Sequence, residues 1–112
     1  MQPIGRELWL YENPHGASPF HDWLTDLKDR KARFIIRARL DRLAYGHAGN
    51  CEPVGQGVFE LKIYYGPGYR IYFGEENQRI VVLLCGGDKG TQNRDILQAQ
   101  QYWQDFKRRR NA

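Results

Sequence analysis

Two cations and two phenols alternate along neighbouring stretches of this 112-residue sequence. Lys62 and Tyr64 are two residues apart, and so are Arg70 and Tyr72. Residues at this spacing share one face of a β-strand. Cations bind phosphate and aromatic rings stack on bases, which is the chemistry of a surface for single-stranded RNA. Ordinary cross-strand pairing on a half-exposed sheet explains the same residues equally well, at about 0.2 to 1 kcal/mol per pair.

The segment between the two pairs predicts how they meet. Val58 to Tyr65 alternates apolar and polar residues, and a tight turn at Gly66-Pro67-Gly68 precedes a second alternating stretch. We therefore expect a β-hairpin whose three-residue turn pairs Tyr65 with Tyr69. In that register Tyr64 faces Arg70, Lys62 faces Tyr72, and Glu60 lies at the end of the row.

A third cation follows the next strand. The apolar run Ile80 to Cys85 is typical of a central strand covered on both faces, and Gly86 to Gly90 is predicted to be a loop. From this loop Lys89 could stand beside Lys62 and Arg70, where amides at the start of the last helix could meet an anion. The spacing is not that of a phosphate loop, and a glycine turn with a solvated lysine remains the other interpretation.

The sequence predicts no metal site and no cofactor. Cys51 and Cys85 are far apart and form no CxxC pair, so neither a zinc site nor a disulfide framework is indicated. We expect both thiols to be buried or inert.

Positive charge is concentrated in two segments. The chain has 17 Lys and Arg against 13 Asp and Glu, a net charge of +4. Lys28 to Arg42 carries +5 and the tail Lys107 to Arg110 carries +4, so the rest of the chain sums to −5. Either segment alone is typical of a solvated helix face or a frayed end. The two segments together favour nucleic acid as a binding partner. The predicted RNA-binding residues are Tyr64, Tyr72, Arg33, Arg37, Lys107 and Arg108.

The hydrophobic pattern predicts one α+β domain over residues 1–112, with a basic tail at 107–112. The predicted order is βααβββα: a strand, two helices, a glycine-rich loop, three strands and a last helix. We expect a small, twisted, mainly antiparallel sheet with two N-terminal helices and one C-terminal helix packed on it. The last helix is predicted to be capped by Thr91 and to face the core with Ile96, Ala99, Trp103 and Phe106. Without an apolar run of about 18 to 20 residues or a signal peptide, the protein is expected to be cytoplasmic and not bound to a membrane.

Three sequence motifs, together with the predicted order of elements, resemble the RelE/ParE toxin superfamily, and more closely its HigB-like addiction-module killer proteins. They are Phe59-Glu60-Leu61-Lys62-Ile63, Gly68-Tyr69-Arg70-Ile71-Tyr72-Phe73, and Leu84-Cys85-Gly86-Gly87-Asp88-Lys89 before Thr91-Gln92-Asn93-Arg94-Asp95-Ile96. The similarity runs from about Glu7 to Phe106. It implies a RelE-like fold and the toxin of a type II toxin-antitoxin pair.

The resemblance also implies an activity and partners. Members of these groups cut mRNA on the ribosome without metal, using basic residues of the sheet and of the segment after the last strand. By position, Lys62, Arg70 and Lys89 match these residues. Arg70 is expected to stabilise charge, Lys62 to transfer a proton or stabilise charge, and Lys89 to help. The implied partners are the ribosome, mRNA and a cognate antitoxin, a HigA-like helix-turn-helix protein.

Two other functions remain open at this point. ParE relatives share the fold but inhibit DNA gyrase without cutting RNA, so the fold does not decide the reaction. A non-catalytic module that binds RNA or protein is the second alternative. The pair of Lys62 and Arg70 favours the nuclease.

Overall fold

Both N-terminal helices begin directly after a residue whose side chain caps the first turn. The structure, a computed structural model, describes residues 5–47 and 49–112. Helix α1, Pro19–Asp26, begins after Ser18, whose side chain accepts from the His21 amide, and proline occupies its first turn. Helix α2, Arg30–Ala44, begins after Asp29, whose carboxylate accepts from the Ala32 amide at 3.1 Å.

Five strands form one mixed sheet. They are β1 Glu7–Leu10, β2 Cys51–Pro53, β3 Phe59–Ile63, β4 Tyr69–Glu76 and β5 Ile80–Asp88, in the spatial order β1-β5-β4-β3-β2. The pair β1 and β5 is parallel, and the other neighbours are antiparallel. The predicted α+β class and mainly antiparallel sheet are therefore confirmed.

The helices cover opposite faces of the sheet. Helices α1 and α2 pack Phe20, Leu24, Ile36 and other apolar residues against one face. Helix α3, Gln92–Arg110, packs Ala99 and Trp103 against the other face. The predicted core residues of this last helix lie in that second core, with Ile96 and Phe106 partly buried.

The order of elements is βααββββα, one strand more than predicted. The segment expected to be a loop contains β2, which pairs with β3 through Cys51↔Leu61 and Pro53↔Phe59. A three-residue edge strand ending in proline has no alternation of its own to reveal it. Residues 1–4 and 48, which belong to the predicted domain, lie outside the described residues.

Strand β5 is longer than predicted, and helix α3 does not have the predicted cap. Gly86, Gly87 and Asp88 continue β5 and do not form a loop. A 3-10 turn at Lys89–Thr91 then leads into α3. Thr91 precedes α3, but its hydroxyl donates to the Asp95 carboxylate and caps no helix amide.

Candidate functional site

Lys62 and Arg70 lie directly opposite each other on neighbouring strands. The register of β3 and β4 pairs Lys62 with Arg70 and Glu60 with Tyr72, and Arg70 also pairs with Gly87 of β5. Directly paired residues project to the same face of a sheet. The fold therefore brings Lys62 and Arg70 together on the face that α3 covers.

The predicted hairpin register is wrong. Ile63, not Tyr65, pairs with Tyr69, so the turn spans five residues, 64–68. Within the turn the Tyr65 amide donates to the Ile63 carbonyl and the Gly68 amide donates to the Tyr65 carbonyl. Consequently Lys62 faces Arg70 instead of Tyr72, and Tyr64 leaves the sheet.

Tyr65 explains why the turn is longer. Its hydroxyl donates to Asp29, the residue that caps α2, at 3.0 Å. The Lys31 ammonium lies 5.8 Å from the centre of the Tyr65 ring. These contacts draw Tyr65 out of the strand and fasten the β3–β4 turn to the basic start of α2. The hydrogen bond from the Ala32 amide, and then that from the Tyr65 hydroxyl, lower the pKa of Asp29.

Tyr72 cannot stack on bases as predicted, because its side chain is fully buried. The face was predicted to be half exposed, but α3 covers it, and Glu60 and Arg70 are also buried. Burial, and then the hydrogen bond to Glu60, raise the pKa of Tyr72. Tyr72 is a neutral hydrogen-bond donor within the core.

Glu60 is the centre of this buried polar group. Its Oε2 accepts from the Tyr72 hydroxyl at 2.9 Å and from the Gln92 side-chain amide at 2.9 Å. The Arg70 Nε lies 4.0 Å from the same oxygen. Gln92 is the first residue of α3, and no local signal in the sequence reveals this contact.

Arg70 is held loosely for a buried cation. Its Nη1 donates to the Gly68 and Tyr69 carbonyls at 3.3 and 3.4 Å, near the long limit for hydrogen bonds. Its Nε is buried and has no hydrogen-bond partner among the described residues. Unsatisfied donors next to a site are available to an anion that reaches them.

Lys89 lies at the same end of the sheet, where β4 begins and β5 ends. A Cβ atom built on Gly68 would lie 3.5 Å from both the Arg70 Nη1 and the Lys89 Cβ. We name Lys62, Arg70 and Lys89 the cation cluster. All three residues to which the resemblance assigns catalysis thus lie at one end of the sheet.

The glycines of β5 let the helices approach this end of the sheet. A Cβ on Gly86 would lie 2.3 Å from the Trp23 ring, and one on Gly87 would lie 1.9 Å from the Asp95 carboxylate. Neither position has room for a side chain. The Gly-Gly pair predicted to be a loop is therefore a strand segment that packs on both faces.

Two of the three cations remain in contact with solvent. Lys89 is exposed, and the Lys62 side chain is 21% exposed and pairs with Glu52 of β2 at 3.2 Å. Beside the cluster, a shallow cavity of about 240 Å³ is formed by Lys89 to Arg94. Tyr64 is 73% exposed in the β3–β4 turn, which makes it the accessible aromatic residue next to the cluster.

The start of the first basic segment and the basic tail lie at opposite ends of the sheet. The start of α2 adjoins the cluster through Tyr65, whereas Arg110 of the tail pairs with Glu76, at the far end of β4, at 2.8 Å. Among the predicted RNA-binding residues, Arg37 is exposed and Arg33 donates to the Leu27 carbonyl. Lys107 and Arg108 are not brought to the cluster.

Neither cysteine forms a disulfide. Burial raises the pKa of the Cys85 thiol to about 12 and that of Cys51 to about 11, so both are protonated at neutral pH. Within residues 5–47 and 49–112, no three His, Cys, Asp or Glu side chains are grouped as a metal ion requires. In the same part of the chain, no helix is long and apolar enough to span a bilayer.

Comparison with known proteins identifies a relative in Haemophilus influenzae (strain ATCC 51907 / DSM 11121 / KW20 / Rd). That protein, described as "Uncharacterized protein", is 48% identical over 81 residues, which cover 72% of this chain and 82% of the relative. This chain belongs to the same family. No family model matches the sequence. The relative's description states no activity.

Proposed function

We propose that this protein is a HigB-like toxin of the RelE/ParE superfamily, with a RelE-like fold, and that it cuts mRNA on the ribosome without a metal ion. One observation carries the proposal: Lys62, Arg70 and Lys89, distant in sequence, meet at one end of the sheet. A buried arginine between two lysines that reach solvent suits a reaction that builds negative charge on a phosphate.

The reaction needs three contributions. The 2′-hydroxyl attacks the adjacent phosphorus as it loses its proton, and the bond from phosphorus to the 5′-oxygen breaks as that oxygen gains a proton. The products are a 2′,3′-cyclic phosphate and a free 5′-hydroxyl. A base, a cation for the charged intermediate and an acid for the leaving group therefore have to lie near one phosphate.

The residues of the cluster suit different parts of this reaction. Arg70, whose buried Nε has no hydrogen-bond partner among the described residues and lies 4.0 Å from Glu60, is assigned to the charge on the phosphate. Lys62 and Lys89 reach solvent and are assigned to proton transfer and to binding the charged strand. The exposed ring of Tyr64 is assigned to stacking on a base.

The start of α2 supports the choice of a polyanionic partner. Lys28, Arg30 and Lys31 are exposed, and Tyr65 fastens this end of the helix to the turn that carries Tyr64. Cations beside the cluster extend the positive surface along a bound strand. The ribosome and mRNA are the proposed partners, together with a HigA-like antitoxin that neutralises the toxin.

The test is primer extension on a defined mRNA in a purified translation reaction. The wild type should create new 5′ ends only when ribosomes are present. Lys62→Ala, Lys89→Ala and Arg70→Lys should each reduce cleavage, by about 100-fold for Arg70→Lys, because lysine keeps the charge but loses the planar donor array.

Arg79→Ala is the matched control. Arg79 is an exposed cation in the turn between β4 and β5, at the other end of the sheet, and its loss should leave cleavage unchanged. Circular dichroism of each variant verifies folding. Intact mRNA under every condition would refute the nuclease, and a gyrase supercoiling assay would then distinguish a ParE-like inhibitor from a binding module.

A further inference from the structure

Strand β1 has an open edge. It pairs with β5 on one side only, and within the described residues no strand lies beyond it. The Glu7 amide donates to the Arg79 carbonyl, just before β5, at 2.8 Å, and the Tyr11 amide donates to the Leu83 carbonyl of β5 at 3.0 Å. Since amides alternate in direction along a strand, those of Leu8 and Leu10 point away from the sheet. Such an edge can accept another extended segment.

A groove runs beside this edge on the side of α3. Its volume is about 280 Å³, and it is lined by Trp9, Leu10, Glu12, Phe106, Arg109 and Arg110. The Trp9 and Phe106 rings meet edge to face with their centres 6.4 Å apart, and Leu10 is 46% exposed. The groove therefore offers an apolar floor next to free main-chain donors and acceptors.

The basic tail forms the rim of the groove. Arg108 and Arg109 pair with Asp105 at 2.8 and 2.7 Å, and Arg110 pairs with Glu76. The four cations Lys107 to Arg110 meet two carboxylates in these pairs, and Glu12 also lines the groove, so these residues together keep a net charge of +1. The Arg109 and Arg110 side chains remain 44% and 41% exposed, so they can bind further carboxylates.

The aromatic residues here are already engaged by the protein itself. Phe106 stacks on Trp103 at 5.4 Å, and the Arg110 guanidinium lies 4.7 Å from the centre of the Trp9 ring. Rings packed in this way do not splay to stack on bases, and nucleic acid does not pair with a strand edge. A second copy of this chain would bring two basic rims together, which is unfavourable.

From these observations we infer that the β1 edge and its basic groove bind an acidic, extended peptide segment of a protein partner. The segment pairs with the outward amides of Leu8 and Leu10. Its carboxylates lie against Arg109 and Arg110, and its apolar side chains lie beside Leu10. This surface lies along the β1 edge of the sheet, whereas the cation cluster lies where β4 begins and β5 ends, so its occupation does not require the proposed nuclease activity.

The probe is a fluorescein-labelled octapeptide of alternating glutamate and valine, whose anisotropy is measured against the full chain. We expect saturable binding that weakens about tenfold in the Arg109→Ala/Arg110→Ala double variant, as the loss of two exposed ion pairs implies. The matched double variant Lys28→Ala/Arg30→Ala removes two exposed cations from the other end of the molecule and should bind normally. An octapeptide of alternating glutamate and proline keeps the charge but cannot form a strand, and it should not bind.

Amide hydrogen exchange of the wild type gives a readout that does not depend on the variants. The peptide should slow exchange at Leu8 and Leu10, whose amides face outward, far more than in the turn at 64–68. The inference is overturned by absence of saturable binding, by equal binding of the two double variants, or by exchange that is unchanged at β1. It is also overturned if the tail variant loses binding to a labelled oligouridine, because the tail would then bind nucleic acid.

Discussion

Glu60 is a carboxylate that the fold removes from water. Its Oε2 accepts hydrogen bonds from Tyr72 and Gln92 and lies 4.0 Å from the Arg70 Nε. A buried carboxylate is tolerated only when donors and a cation surround it. The same contacts hold Arg70 beside Lys62, so the stability of this group and the geometry of the proposed site depend on each other.

Removing the Tyr72 hydroxyl should therefore be costly. Tyr72→Phe keeps the ring in the core but takes away one donor from Glu60. The free energy of unfolding should fall by about 1 to 3 kcal/mol, the usual cost of an unsatisfied buried polar group. Urea denaturation followed by circular dichroism measures it.

Tyr64→Phe is the control for the same chemical change at an exposed position. Tyr64 is 73% exposed, so the loss of its hydroxyl should change the free energy of unfolding of the protein by less than about 0.5 kcal/mol. Equal effects of the two substitutions would contradict the role assigned to Tyr72.

At the residue scale, spacing predicted which side chains share a face but not which are exposed. Lys62 and Arg70 were correctly expected on one face because the period of a strand is two. Whether water or a helix covers that face depends on where α3 packs, some 30 residues later in the chain. Tyr72 was therefore misjudged, and the Gln92 contact could not be foreseen.

At the scale of elements, the β3–β4 turn and α2 form one unit. Tyr65 donates to the carboxylate that also caps α2, so one residue, Asp29, orients both elements. The hydrogen bond between Tyr65 and Asp29 therefore fixes the position of the exposed Tyr64 relative to the basic start of α2.

This bond makes a pH-dependent contribution to stability. The hydrogen bonds from Ala32 and Tyr65 lower the pKa of Asp29 below its usual value of about 3.9. Folding therefore favours the charged carboxylate of Asp29. Its contribution to stability is complete at pH values above the pKa of the unfolded state, and it is lost as the pH falls through the lower pKa of the folded state. Tyr65→Phe should raise the pKa of Asp29 towards normal and reduce this acid-induced loss.

Carboxyl chemical shifts from an NMR titration report the pKa of Asp29 directly. Tyr64→Phe, which removes a hydroxyl from the neighbouring exposed ring, should leave the titration of Asp29 unchanged. An unaltered Asp29 titration in Tyr65→Phe would show that the hydroxyl does not stabilise the carboxylate.

The sequence predicted elements with strong local signals better than those that depend on neighbours. Apolar spacing indicated α1, α2 and α3, β-favouring residues indicated β1, alternation indicated β3 and β4, and an apolar run indicated β5. The short β2 exists because β3 pairs with it, and Gly86 and Gly87 extend β5 because helices press on both sides. Glycine suggests a loop when no neighbour is visible, so this signal was misleading.

At the scale of the whole molecule, the fold separates the start of the first basic segment from the basic tail, although the two look alike in sequence. The start of α2 lies beside the cation cluster, whereas the tail is bound to Glu76 and Asp105 at the far end of β4. Eight residues of strand lie between these ends, roughly 25 Å at about 3.3 Å per residue. The separation divides the surface into one end suited to a polyanion and another suited to a protein segment.

This division predicts different salt dependences for the two segments. When a cation neutralises one phosphate of a single strand, a counterion is released. The slope of log K against log salt concentration then becomes steeper by about 0.7. Arg30→Ala/Lys31→Ala should therefore lower the slope of log K against log salt for a labelled oligoribonucleotide by about 1.4. Lys107→Ala/Arg108→Ala removes the same charge at the far end and should leave the slope unchanged. Anisotropy titrations over a range of salt concentrations give both slopes, and equal losses would mean that bound RNA reaches the tail, as the charge distribution in the sequence first suggested.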